Sequence, residues 1–338
     1  MYSVAIKSNQ FIPLAFSALL HLTFGLVIGW LAPPAVAGKP APIYGLDHPQ
    51  RIPDQYLVVL KAQASTQDQT SLQQEMAAGG LGVERQFQHA FQGFRIRTPK
   101  NIGVAGASNL LDALAHNPQV AFIEADRWVY AQENTANLLT QSPSLFSPQS
   151  PVTWGLDRID QEDLPLSNSY SYNHTGAGVN VYVIDSGIRA DHQEFAGRVR
   201  GGASFGSNPS PLEDCTGHGT HVAGTIGGIN YGVAKAVNLW SLRVFDCTNS
   251  ASWSQIIAAL EWVISNHQRP AVVNMSLGGS RFNSANLAVE NAIAAGISVV
   301  VAAGNNSEDA CNYSPASADK ALAVGASTIT DKRADFSN

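Results

Sequence analysis

The chain has 338 residues, 45% of them hydrophobic and only 14% charged, with 29 glycines and 17 prolines; that composition excludes disorder, coiled coil and collagen. Lys and Arg number 20 against 26 Asp and Glu, a net charge of −6, which repels phosphate backbones and excludes nucleic acid as the main partner. The length allows two domains and at least one sizeable core.

In chain order, Lys7 precedes an apolar stretch from Phe11 to Ala32, and Pro33, Pro34 and Ala35-Val36-Ala37 then supply a helix break and a small-residue cleavage site. This is the layout of a secretory signal over residues 1–37, cut after Ala37. A membrane anchor is the rival, because the stretch approaches the roughly 20 residues that span a bilayer. His21, Thr23 and the small-residue exit favour the signal, and with it a secreted protein that has no membrane contact after cleavage. An oxidising compartment makes pairing the default for Cys215, Cys247 and Cys311, and one must be left over.

Residues 51–132 read as strand Tyr56–Lys61, a polar-faced helix from Thr66 to Ala78 ended by Gly79-Gly80, strands Val83–Gln88 and Gly93–Thr98, helix Ser108–His116 and strand Val120–Val129. The order β-α-β-β-α-β is that of small α+β ferredoxin-like domains. Residues 133–152 hold four Ser and three Pro without periodicity and read as an exposed, cleavable linker. Beyond it, the apolar β-branched runs Val179–Ile184, Val237–Phe245, Ala271–Leu277 and Ile297–Ala303 alternate with helices Gly219–Gly227, Ser252–His267 and Ser284–Ala295. Strands apolar on both faces and separated by helices predict an α/β domain over 153–338 with a covered parallel sheet, its site at the carboxyl ends of the strands.

Three segments bring chemistry to that edge. Asp185 closes the run Val-Tyr-Val-Ile-Asp-Ser-Gly-Ile, although an Asp at a strand end is as often a turn or cap residue. Thr216-Gly217-His218-Gly219-Thr220-His221 puts an imidazole at the start of a Gly-rich helix. Ala302-Ala303-Gly304-Asn305 places a side-chain amide just past a buried strand. His218 and His221 also stand at a spacing that zinc sites use, but the zinc-hydrolase helix needs His-Glu-x-x-His with its glutamate base, so His221 is read as a structural histidine.

Together these segments closely resemble the subtilisin-like serine endopeptidases, in their proteinase K branch and nearest its aqualysin group. The resemblance rests on TWGLDRIDQEDLPLSNSYSY (153–172), GVNVYVIDSGI (178–188), DCTGHGTHVAGTIGG (214–228), YGVAKAVNL (231–239), NMSLGG (274–279) and ACNYSPAS (310–317). It covers essentially all of 151–338 and implies a three-layer, parallel-sheet subtilisin-like domain. Through YLVVLK and PQVAFIEAD, residues 51–132 are similar to the family's inhibitory propeptide.

The resemblance implies that Asp185 orients the imidazole, that His218 is general base and then general acid, and that Asn305 donates to the oxyanion. It makes Ser276, Leu277 and Gly278, with Ala303 and Gly304, the walls of the pocket for the residue before the scissile bond. Asn249, Ser250 and Ala251 become an edge strand that pairs with an extended polypeptide substrate; the family usually has glycine within that segment, and this chain has none. It also implies a Cys215–Cys247 disulfide, and a structural calcium near Asp157, Asp160 and Gln161 with oxygens from Ser167 and Ser169, at which some relatives carry Asp in place of Ser167. Acidic residues at a helix start, favoured by its dipole, are the competing reading of Asp157 and Asp160.

The family's nucleophile lies in a Gly-Thr-Ser-Met-Ala helix start after the Asn segment, and residues 1–338 contain no such segment. The expectation is therefore the front portion of a protease precursor, without the serine and inactive as it stands, with its own propeptide as intramolecular inhibitor. The alternative is a non-catalytic product whose working part is the 51–132 module, acting as inhibitor and folding chaperone.

Overall fold

In the strand Arg51–Leu60, alternate side chains have different destinations: Tyr56, Val58 and Leu60 face one core, Leu57 and Val59 another, and all five are buried. A strand covered on both faces reads as the continuous apolar run YLVVL, because neither face meets water. The computed structural model describes residues 39–131 and 152–338; the expected signal (1–37) and nearly all of the expected linker (133–152) lie outside them.

The first part contains β1 (Ile43–Tyr44), β2 (Arg51–Leu60), α1 (Thr66–Ala78), β3 (Gly82–Phe87), β4 (Gly93–Arg97), α2 (Gly103–Ala115) and β5 (Val120–Ala131). Helix α1 opens on a capping box, in which Ser65 and Asp68 satisfy each other's backbone N–H. Helix α2 starts five residues before the expected Ser108. Its flanking residue is Ile102, which offers no side-chain cap, and the Gly-Val-Ala-Gly start hides it from a reading by propensity. Strands β3, β4, β2 and β5 form an antiparallel sheet, with β1 added parallel to β5. Its core on α1 and α2 holds Leu72, Met76, Phe94, Ile96, Leu111, Leu114, Val120 and Ile123.

The second part contains α3 (Trp154–Ile159), β6 (Asn180–Asp185), β7 (Val199–Ser204), α4 (His218–Gly227), β8 (Asn238–Arg243), β9 (Ser250–Ser252), α5 (Trp253–Asn266), β10 (Ala271–Met275), β11 (Leu277–Ser280), α6 (Asn283–Ala294), β12 (Ser298–Ala302), β13 (Tyr313–Ser314) and β14 (Leu322–Val324). Six strands make an all-parallel sheet in the order β14-β12-β10-β6-β8-β7. Helices α5 and α6 pack on one face, through Ile256, Leu260, Val263, Ala288 and Val289. On the other face α4 contributes Ala223 against Val181, Val183 and Leu239. The fold is thus the expected three-layer α/β arrangement. The apolar run Ala271–Leu277 breaks at Ser276, where β10 ends and β11 leaves the parallel sheet to pair elsewhere.

Strand β5 joins the two parts. Beyond the first sheet it runs on between β9 and β11, antiparallel to both, pairing Val129 with Ala251, Tyr130 with Ser250 and Gly278, and Ala131 with Leu277. The first part's second apolar face, with Leu57, Val59, Phe87, Phe91 and Val129, enters the same core as α5 and α6.

Candidate functional site

Strands β6, β10 and β12 are neighbours and parallel, so Asp185, the Ser276–Gly278 segment and the Ala303–Asn305 segment all emerge at one edge. Asp185 is wholly buried, and its Oδ1 accepts from His218 Nδ1 at 2.7 Å and from the backbone N–H of Ser186 at 2.7 Å. Oδ2 is also buried and has no hydrogen-bond partner. His218 sits at the first turn of α4, held by Asp185, with 14% of its side chain exposed.

The helix comes this close because of Gly219. A Cβ at that position would stand 2.2 Å from the carbonyl oxygen of Gly187 and 3.1 Å from Asp185 Oδ1. Gly217, just before the helix, has φ of +85°, a conformation that glycine takes without steric cost.

The expected edge segment is displaced by one residue: β9 is Ser250–Ser252, and Asn249 forms the turn before it with φ of +55°. Asn is the non-glycine residue that best tolerates this left-handed region. The Asn249 carbonyl accepts from Ala131 N–H at 3.2 Å. Asp246 closes the turn, accepting from Thr248 and Ser250 through both backbone N–H and hydroxyl groups. At its other end β9 leads into α5, whose capping box is made by Ser252 and Gln255.

Cys215 and Cys247 form a disulfide with Cα atoms 5.4 Å apart, and Cys311 is free and exposed. The bridge joins the loop before His218 to the turn before β9. Arg243 lies buried beneath it and donates to Cys215 Sγ at 3.2 Å.

The carboxylates expected to hold a cation are engaged by backbone donors. Asp157 accepts from Ser167 N–H and Oγ–H at 3.0 Å each and from Asn168 N–H at 2.6 Å, and Asp160 accepts from Ser171 N–H. Gln161 accepts from Ser167 N–H at 3.2 Å and donates to the Pro165 carbonyl at 2.9 Å. This donor set closes the loop on itself, and a calcium ion would share these oxygens with the hydrogen bonds they already accept. Among the described residues no group of three or more His, Cys, Asp or Glu is arranged to hold a metal.

Sequence reasoning gave no role to the two carboxylates that fasten β5. Glu124 accepts from Asn283 N–H at 3.0 Å and from Ser284 N–H and Oγ–H at 2.8 and 2.7 Å. It thereby caps α6, whose own flanking residue, Phe282, supplies no side-chain cap. Asp126 accepts from Ser254 N–H at 3.2 Å and Oγ–H at 2.6 Å in the first turn of α5. Burial pushes both carboxyls above their usual range. From the other side, Glu261 of α5 accepts from the backbone N–H groups of Gln88, His89 and Ala90. The available signal was Glu-Ala-Asp-Arg in a strand whose other residues are apolar or aromatic, which places two acids on one buried face.

Residues 176–338 match the model of the subtilase family. The chain is 44% identical over 325 residues to an extracellular serine proteinase of Thermus sp. (strain Rt41A), an alignment that covers 90% of this chain and 74% of that protein. It is 43% identical over 299 residues to alkaline serine exoprotease A of Vibrio alginolyticus, covering 85% and 52%. Among solved structures it resembles a cold adapted subtilisin-like serine proteinase, with a TM-score of 0.55 and 49% identity over 56% of this chain and 69% of that one.

Proposed function

This chain belongs to the subtilase family, and from that premise we propose that it is the precursor part of a secreted serine endopeptidase that acts on polypeptides. The observation that carries the reading is the 2.7 Å contact between His218 Nδ1 and buried Asp185 at the carboxyl edge of the parallel sheet. In this reading Asp185 fixes the tautomer of His218, leaving Nε2 to take a proton from a nucleophile and return it to the leaving amine. Asn305 stabilises the oxyanion. Ser276–Gly278 with Ala303 and Gly304 receive the side chain before the scissile bond, and Asn249 with β9 holds the substrate backbone.

Residues 51–132 act as inhibitor in the same proposal. Their strand β5 occupies both edges, β9 and β11, that an extended substrate would use. The apolar stretch Phe11–Ala32 serves as the export signal; no helix among the described residues is long and apolar enough to cross a membrane. Calcium held at Asp157, Asp160 and Gln161 stabilises the domain in the same proposal, and a melting temperature identical in calcium and in chelator would remove it.

The nucleophile is the open element, because residues 1–338 contain no Gly-Thr-Ser-Met-Ala segment. A fluorophosphonate probe, which labels an activated serine, tests the assignment. The 338-residue chain is expected to stay unlabelled, whereas a chain continuing through such a segment labels and loses the label in His218→Ala. Labelling undiminished in His218→Ala would overturn the role given to the imidazole.

A further inference from the structure

Helix α4 begins at the residue that carries the proton-accepting imidazole, yet Gly217 before it has no side chain with which to cap it. The orphan N–H groups of the first turn are taken up from elsewhere. Asp214 Oδ1 accepts from Gly217 N–H at 2.9 Å, and Oδ2 accepts from Thr220 N–H at 2.8 Å and Thr220 Oγ–H at 2.6 Å. The N–H of Gly219, the residue next to His218, goes to Ser186 Oγ at 2.9 Å.

Ser186 makes the decisive link. It follows Asp185 directly and is fully buried. Its N–H donates to Asp185 Oδ1, its hydroxyl donates to Asp214 Oδ1 at 2.9 Å, and its oxygen accepts from Gly219. One hydroxyl therefore ties the strand end that carries the carboxylate to the helix start that carries the imidazole. With its single proton committed to Asp214, the Ser186 oxygen is oriented as an acceptor toward Gly219. An uncharged or absent group at 214 would release that orientation. Burial opposes ionisation of Asp214, but the donors from Thr220, Gly217 and Ser186 outweigh it and hold the carboxyl below its usual range, so the charge persists at neutral pH.

Building on the proposed Asp185–His218 pair, we infer that Asp214 and Ser186 are positioning residues that hold His218 in register with Asp185. They act through the first turn of α4 and touch neither substrate nor the reacting nitrogen. Cys215, adjacent to Asp214, anchors this network through the disulfide to Cys247.

The test needs no catalytic activity. In the intact chain labelled with ¹⁵N-histidine, the Nδ1 proton shared with Asp185 gives a low-field resonance, identified by its absence in His218→Gln. Ser186→Ala and Asp214→Asn are expected to lose that resonance to solvent exchange while near-UV circular dichroism and the disulfide stay as in the parent. Ser186→Thr, which restores the hydroxyl, is expected to retain it. Persistence of the resonance in both Ser186→Ala and Asp214→Asn would overturn the inference, as would loss of the tertiary signal in Ser186→Ala, since the network would then be holding the domain and not the imidazole. Absence of the resonance from the parent chain would instead sink the Asp185–His218 reading itself.

Discussion

Replacing Glu124 by Ala probes the docking of the first part of the chain on the second. The side chain accepts three hydrogen bonds at the start of α6 and lies 3.5 Å from buried Arg127. Net contributions of hydrogen bonds to a charged group run to about 1.5–3 kcal/mol, and loss of a helix cap costs about 0.5–2 kcal/mol. Relief of the carboxylate's own burial returns part of this, whereas stranding Arg127 adds to it. The expected loss is about 2–3 kcal/mol, which at 1.4 kcal/mol per decade is about 30- to 150-fold in the opening equilibrium. Hydrogen exchange on the intact chain reads that equilibrium at the N–H groups of Ala131 and Ser284, which point into the contact. Protection unchanged to within about threefold at both would refute the claim that Glu124 fastens the strand, since even the lower bound of the hydrogen-bond term exceeds it.

The sign of the pH effect follows from the raised carboxyls of Glu124 and Asp126: docking is linked to proton uptake, is strongest below the ordinary carboxylate range and weakens as pH rises through the raised values. Exchange protection of the β5–β9 pairs, corrected for intrinsic rate, should fall over that interval and do so less in Glu124→Gln. Asp246 runs the other way. Burial opposes its ionisation, but hydrogen bonds from Thr248 and Ser250 hold it below its usual range, so its stabilisation of the β9 turn is full above that range and lost as pH falls through the depressed value; Asp246→Asn should abolish this acid-side change. Cys247→Ala, opening a bridge with a sequence separation of 32, should cost about 3–4 kcal/mol in denaturant unfolding on the loop-entropy account, and a cost below about 1 kcal/mol would contradict it. Gly219→Ala, which drives a Cβ against Gly187, should cost about 1–3 kcal/mol, and an unchanged melting temperature would show that α4 does not need its close approach.

The central strands β6, β10 and β12 were legible because burial on both faces leaves continuous β-branched runs, and α1 because Ser65 and Asp68 announce its start. Strand β7, with the sequence Val-Arg-Gly-Gly-Ala-Ser, was not legible. At Gly202 a Cβ would stand 1.7 Å from the carbonyl oxygen of Ser241, so the position requires glycine for close approach, and a glycine pair reads as a loop. The last turn of β5 was missed for a different reason: Tyr130 and Ala131 are strand residues only because β9 and β11 lie on either side, more than a hundred residues further along the chain. The pairing of Asp185 with His218, which the resemblance carried by their motifs implies, is found as a 2.7 Å contact. Ser186 and Asp214 lie inside those same motifs but work through hydrogen bonds across 28 residues, which spacing does not reveal.

If the proposed reading holds, the position of β5 also sets a relation between inhibition and substrate binding. Strands β9 and β11 each pair with β5, so the backbone groups that would hold an extended peptide are spent on the chain itself. Unpaired edge strands readily accept another strand, and here the occupant is part of the same chain and is seated by Glu124 and Asp126 on the starts of α6 and α5. A competing peptide binds only the fraction of molecules in which β5 has left, so its apparent dissociation constant is its intrinsic one divided by that fraction. A change that weakens docking by a given factor without touching β9 or β11 must therefore tighten apparent peptide binding by the same factor. The separation is built into the fold: Glu124 and Asp126 lie on β5 itself and bond to the first turns of α6 and α5, not to the backbone groups of β9 and β11 that would pair with a peptide.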